Sequence, residues 1–231
     1  MKTPLRLLSA SLAAWLTLAP LAQAQVSPGK YIAEHGFGTL DIKDGKFEIV
    51  SVGGNGHTCG VEGVMKGATG FAEDEGDVCK IDFKAKDGGY QVTPTTPDTC
   101  RNYCGARAYF EGLYLKPAPG CADEAREATK KSFKSAYGAK DYTKAQALLA
   151  PLLQKCARTL GPMETASIRN DLAITLYHLG KKAECRKVLA PMAEDAAKKD
   201  DDLMADYPPS DWDAYKPLIK AARTNLALCK G

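Results

Sequence analysis

The chain lacks the short patterns that most often carry enzyme chemistry. It contains no Gly-x-Ser-x-Gly, no His-Glu-x-x-His and no Gly-Lys-Ser/Thr loop. The nucleophile elbow, the zinc-peptidase helix and the phosphate cradle are therefore all missing. Histidine is scarce: His35, His57 and His178 are scattered, and only His57-x-Cys59 sets two metal-binding types side by side. With Cys59 expected in a disulfide, neither a metal site nor a cofactor is expected. The acidic run Glu73, Asp74, Glu75 and Asp77 lacks the alternating ligand spacing of a calcium loop and reads as a solvated turn. Ser27-Pro-Gly-Lys30 fits Ser-x-x-Lys, but its Pro-Gly forbids the helix that would aim the lysine at the serine.

An excess of charge is missing too. Residues 1–24 read as an export signal: Lys2 and Arg6 precede the apolar run Leu7–Leu18, and Ala22-Gln23-Ala24 offers small residues for cleavage before Gln25. The run is too short to span a bilayer comfortably and no second one follows, so no membrane span is expected. Removing the signal takes two basic residues and no acidic one, leaving 29 Lys+Arg against 28 Asp+Glu. So balanced a chain has no broad basic field for phosphate backbones, and no nucleic-acid partner is expected. The expected location is the periplasm or the medium.

What the chain does have is cysteine, eight in all and all beyond the signal. An even number in an exported protein reads as disulfides. Cys59, Cys79, Cys100 and Cys104 fall in the first half. Cys121, Cys156, Cys185 and Cys229 fall in or beside the second.

The fold class expected is α+β, with a β-domain over residues 25–118 and a helical domain over 119–231. In the first half, apolar and polar residues alternate with period two: Leu40 and Ile42; Phe47, Ile49 and Ser51; Cys79, Ile81 and Phe83. Asp44-Gly45 and Asp87-Gly88-Gly89 are hairpin turns. About seven short strands in a small antiparallel barrel or sandwich follow, closed so as to hide their edges. Cys59 and Cys79 fall on inward faces, which suggests a buried bridge between them. Cys100 and Cys104 are four apart after an Asp98 N-cap, which suggests that they pair with each other.

From Cys121 onward the apolar period becomes helical, and the sequence repeats at an offset of 40. Gln146–Leu152 matches Arg186–Met192, Ala145 aligns with Cys185, and Tyr137 aligns with Tyr177. Leu172-Ala173, Leu176, Gly180, Cys185 and Leu189 follow the spacing of packing positions and inter-helix glycine of the tetratricopeptide family. Ala122–Lys198 resembles that family, which implies stacked helix pairs and a protein-binding habit. The family's aromatic early in the first helix is absent. Pro151 and Pro191 fall inside the second helices, which they should kink or shorten. Antiparallel neighbours would bring Cys121 to Cys156 and Cys185 to Cys229. Ser210 reads as the N-cap of the last helix, with Asp213 three residues on, and Lys198–Asp206 reads as a solvated connector.

Two clusters are candidate binding residues. Asn55 and His57 lie in the polar loop Gly53–His57, whose alternative role is a long turn at positive φ. Arg101, Tyr103, Arg107 and Tyr109 are interface-forming types. Their alternative is stems packed on the barrel with heads bonded to loop carbonyls. No catalytic residue is assigned. The functional expectation is a non-enzymatic protein-interaction protein whose partner is a periplasmic or cell-envelope protein. In strand count, size and cysteine use the β-domain is similar to exported bacterial lysozyme inhibitors. That resemblance implies an inhibitor or immunity-type binder of a cell-wall hydrolase. The alternative is a cell-envelope hydrolase using carboxylates as acid and base, with Glu111 its best candidate. A small-ligand carrier fits least, because inward Phe47, Ile49, Ile81, Phe83 and Phe110 would fill the barrel.

Overall fold

The structure, a computed structural model, describes residues 26–230. The export signal and cleavage point expected from the sequence lie outside the described residues.

Eight strands form one closed antiparallel barrel, each paired with its neighbour in the chain. They are β1 (Gly29–Ala33), β2 (Gly38–Lys43), β3 (Lys46–Val52), β4 (Thr58–Lys66), β5 (Thr69–Asp74), β6 (Asp77–Lys86), β7 (Gly89–Pro94) and β8 (Gly112–Leu115). Closure is made by Ile32 opposite Leu115 and Ala33 opposite Tyr114. The strand beyond the expected seven is one that alternation hides: Tyr31, Ile32 and Ala33 are all buried. Tight turns set the register. Asp44-Gly45, Glu75-Gly76 and Asp87-Gly88 each place both residues at positive φ, the backbone whose twist matches that of the flanking strands.

Side chains fill the barrel. Phe47, Ile49, Ile81, Phe83 and Phe110 are all at most 4% exposed. Phe47 and Phe83 meet edge to face at 5.4 Å and leave no room at Gly70, where a Cβ would sit 2.6 Å from one ring and 2.9 Å from the other.

Between β7 and β8 the chain leaves the barrel as a short helix α1 (Pro97–Cys100) and a 3-10 turn (Arg101–Tyr103). Two bridges fasten this crossing segment, Cys79–Cys100 to β6 and Cys59–Cys104 to β4. The expected pairs, 59 with 79 and 100 with 104, do not form. β5 lies between β4 and β6, and two strand spacings of about 4.8 Å each exceed the Cα separation a disulfide tolerates. The helix also ends before Cys104, which is extended and bridges Cys59 as an isolated antiparallel pair. Asp98 is not the N-cap: Thr96 holds that position, with its hydroxyl engaged to β6 at Lys80 N–H and Val78 carbonyl.

The second half is helical: α2 (Asp123–Gly138), α3 (Tyr142–Lys155), α4 (Pro162–His178), α5 (Lys182–Leu189), α6 (Ala193–Ala197), α7 (Asp200–Asp206) and α8 (Pro209–Cys229). The offset of 40 reappears in the backbone. At the α2–α3 turn Lys140 N–H donates to Tyr137 and Asp141 N–H to Ala136; at the α4–α5 turn Gly180 donates to Tyr177 and Lys181 to Leu176. Lys140 and Gly180 both adopt positive φ. The bridges Cys121–Cys156 and Cys185–Cys229 form as expected.

Three expectations change and one holds. α3 runs on through Pro151, held by buried Leu149 and Leu152 on either side and by the bridged Cys156 at its end. Pro191 does shorten its helix, which gives way to a 3-10 turn after Leu189. Lys198–Asp206 is no solvated connector, because it contains α7, anchored by Leu203 at 1% exposure. The Arg223 guanidinium reinforces it by donating to Asp200 and the Lys198 carbonyl. Finally, α8 starts at Pro209, where a missing N–H costs nothing; Ser210 lies within its first turn.

Candidate functional site

Three backbone segments meet at one side of the barrel. Val52 N–H donates to the Phe37 carbonyl at 2.8 Å and Gly105 N–H to the Thr58 carbonyl at 2.9 Å. The buried Ser51 hydroxyl donates to the Tyr109 carbonyl at 2.7 Å. At Gly53 a Cβ would fall 2.0 Å from the Arg107 carbonyl oxygen, so only glycine admits this approach. The loop Gly53–His57 and the segment 101–109, far apart in sequence, therefore lie together.

Their side chains divide by role. Arg101 folds back, donating to the Ala108 carbonyl at 2.8 Å and the Gly105 carbonyl at 2.9 Å, so it shapes the loop. Tyr103 turns inward; its hydroxyl is buried without a partner among the described residues. Burial raises its pKa, making the phenol a weaker acid, and the Asp74 and Glu73 carboxylates add to the effect. His57 packs on Gly105, where a Cβ would come within 2.7 Å of its Nδ1. Arg107 is exposed. Tyr109 is 55% exposed, its ring 5.3 Å from that of Phe37, and Val52 is also 55% exposed.

Asn55 turns toward the helices. At φ 59 its side-chain oxygen accepts from Ser210 N–H at 3.2 Å and from the Ser210 hydroxyl at 3.0 Å. Its own N–H donates to both Asp211 carboxylate oxygens at 3.2 Å. Asn55 thus caps α8 from another part of the chain, satisfying the Ser210 N–H that a helix start leaves open. A second clasp joins His35 N–H to the Arg158 carbonyl at 2.8 Å, and Arg158 to Glu34 at 2.8 Å.

A concavity of about 870 Å³ lies on the outer wall of the barrel over β2–β6 and not inside it. Asp41 and Glu48 line it and also line a smaller one of about 210 Å³ that reaches Ala122–Glu124 at the start of α2. Sequence reasoning missed Asp41, Glu48 and Glu62. The turn at Asp44-Gly45 dictates that Asp41 faces Glu48, but only the structure shows Glu62 beside them. Among the described residues no group of three His, Cys, Asp or Glu is disposed to hold a metal ion. None of their helices is long and apolar enough to cross a membrane.

Comparison with protein families, with curated proteins and with solved structures gave no match.

Proposed function

We propose that this chain is a non-enzymatic protein-interaction protein of an oxidising compartment, and that it binds a cell-wall hydrolase as an inhibitor or immunity-type partner. One observation carries the reading. The barrel interior is packed with its own side chains, while large apolar residues stand exposed outside it, Val52 and Tyr109 among them, with exposed Arg107 two positions before Tyr109 in the chain. Aromatic and Arg side chains on a rigid scaffold are the residues that anchor protein interfaces. Four disulfides fit an export compartment. The helix pairs repeating every 40 residues agree with the tetratricopeptide resemblance and offer a second binding element.

The test measures lysis of purified cell wall by a muramidase in the presence of the full exported chain. Inhibition should weaken at least tenfold in Arg107→Glu and Tyr109→Ala. If the chain formed no complex and itself cleaved the wall, with cleavage lost in Glu111→Gln, the hydrolase alternative would replace this reading.

A further inference from the structure

The four bridges differ in what solvent can reach. Seven of the eight cysteines are at most 2% exposed, whereas Cys104 is half-buried. It is extended and lies between elements, with exposed Asn102 and Ala106 two positions away on either side. Thiol–disulfide exchange proceeds by attack of a thiolate on one sulfur, so access selects both the bridge and the sulfur.

The same bridge fastens the segment that carries Arg107. Among the described residues, one backbone hydrogen bond joins residues 101–108 to the barrel wall, Gly105 N–H to the Thr58 carbonyl at 2.9 Å. Their other hydrogen bonds stay within the crossing segment: Cys104 N–H to Arg101, Ala108 N–H to Gly105, and the Arg101 guanidinium to Gly105 and Ala108. The Tyr103 hydroxyl is buried without a partner among the described residues, so lifting the segment would return a costly orphan to water.

We propose that Cys59–Cys104 is a redox-exchange site for a dithiol, and that opening it releases the Arg107–Tyr109 surface from its binding geometry. A thiolate of the dithiol attacks the Cys104 sulfur. The S–S bond breaks, and the Cys59 sulfur leaves with the electron pair and takes up a proton. The second thiol then attacks its own partner sulfur in the mixed disulfide, and Cys104 leaves as a thiol. The chain gains two electrons and two protons, and the dithiol ends as a disulfide. The segment stays tethered at Cys100, whose bridge to Cys79 is buried at both ends, so it becomes a flap. The hydrogen-bonded barrel and the twice-bridged helices keep their fold. The effect on affinity rests on the binding reading above; the order of reduction does not.

The test treats the full exported chain with dithiothreitol at rising concentration, blocks the thiols formed and maps them by mass. Cys59 and Cys104 should be labelled at a concentration at least tenfold below that needed for the other cysteines. With only that bridge open, hydrogen exchange should rise over residues 101–109 and stay unchanged in the helices. Inhibition of the muramidase should weaken at least tenfold and return on reoxidation. Cys59→Ser/Cys104→Ser should behave as the reduced chain does, with or without reductant. Another bridge opening first, all four opening together, or unchanged exchange over 101–109 would overturn the proposal, as would inhibition that survives the opening. A chain that inhibits nothing even when oxidised would instead contradict the binding reading, and labelling and exchange would still decide this one.

Discussion

The barrel and the helices each carry two disulfides but use them differently. In the helical half, each bridge joins the start of one helix to the end of another, Cys121 to Cys156 and Cys185 to Cys229. In the barrel, neither bridge joins two strands. Both tie a crossing segment to the wall, at Cys100 and Cys104. A barrel already closed by hydrogen bonds has little use for a strand-to-strand bridge, whereas a segment lying outside it has few other anchors. The barrel bridges therefore hold the surface that carries Arg107 and Tyr109, and the helical bridges hold the fold.

The largest effects should come from the disulfides. Removing Cys185–Cys229 as a double alanine variant should cost about 4 kcal/mol in urea unfolding, from the loop it closes. Removing Cys79–Cys100, across 21 residues, should cost about 3 kcal/mol and loosen the 100–109 segment in hydrogen exchange while the helices stay protected. Equal loosening of both halves would erase the contrast.

The junction comes next. A Cβ on Gly36 would lie 2.3 Å from the Gly161 nitrogen, at φ 68. Gly36→Val should therefore cost roughly 1–3 kcal/mol through strain at positive φ and separate the unfolding of the two halves. Asn55→Ala should cost about 1 kcal/mol, the usual worth of an N-cap. It should also change the emission of Trp212, which is buried beside Asp211. Unaltered emission would mean that the clasp is incidental.

The smallest effects concern pH, and two carboxyls of the helical half should respond with opposite signs. Burial works against ionised Glu164, yet hydrogen bonds and charge from Arg126 and Lys130 hold it below the usual carboxylate range. Its stabilisation is present above its unfolded pKa and disappears as pH falls through the lower folded value. Asp171 is raised by burial, only partly offset by Lys134, so its ionisation weakens the fold as pH rises through the raised folded value. Glu164→Gln should flatten the loss of stability in acid, and Asp171→Asn should raise stability at neutral pH. Both are read from unfolding midpoints between pH 3 and 7.

How much was legible follows the same divide. The strands of Leu40–Ile42 and Phe47–Ser51 and their turn could be read because alternation and Asp44-Gly45 are local signals. The helical bridges could be read because helix ends and a 40-residue repeat place their cysteines. Cys59 and Cys79 misled because an inward face says nothing about which strand lies between. Lys198–Asp206 hid a helix because its acidic run masks a single buried anchor, Leu203. Of the candidate residues, Arg107 and Tyr109 stay outward, whereas Asn55 and Arg101 are used within the fold, a distinction made by distant partners such as Ser210.

The most direct test of the central claim, that the outside of the barrel carries the partner, is site-specific photo-crosslinking in cells that export the full chain. A photoreactive phenylalanine analogue would replace Tyr109 in one variant and Tyr177 in another. The account predicts a discrete protein adduct from position 109 that Arg107→Glu abolishes. Adducts from position 177 alone would contradict it and move the function to the helices.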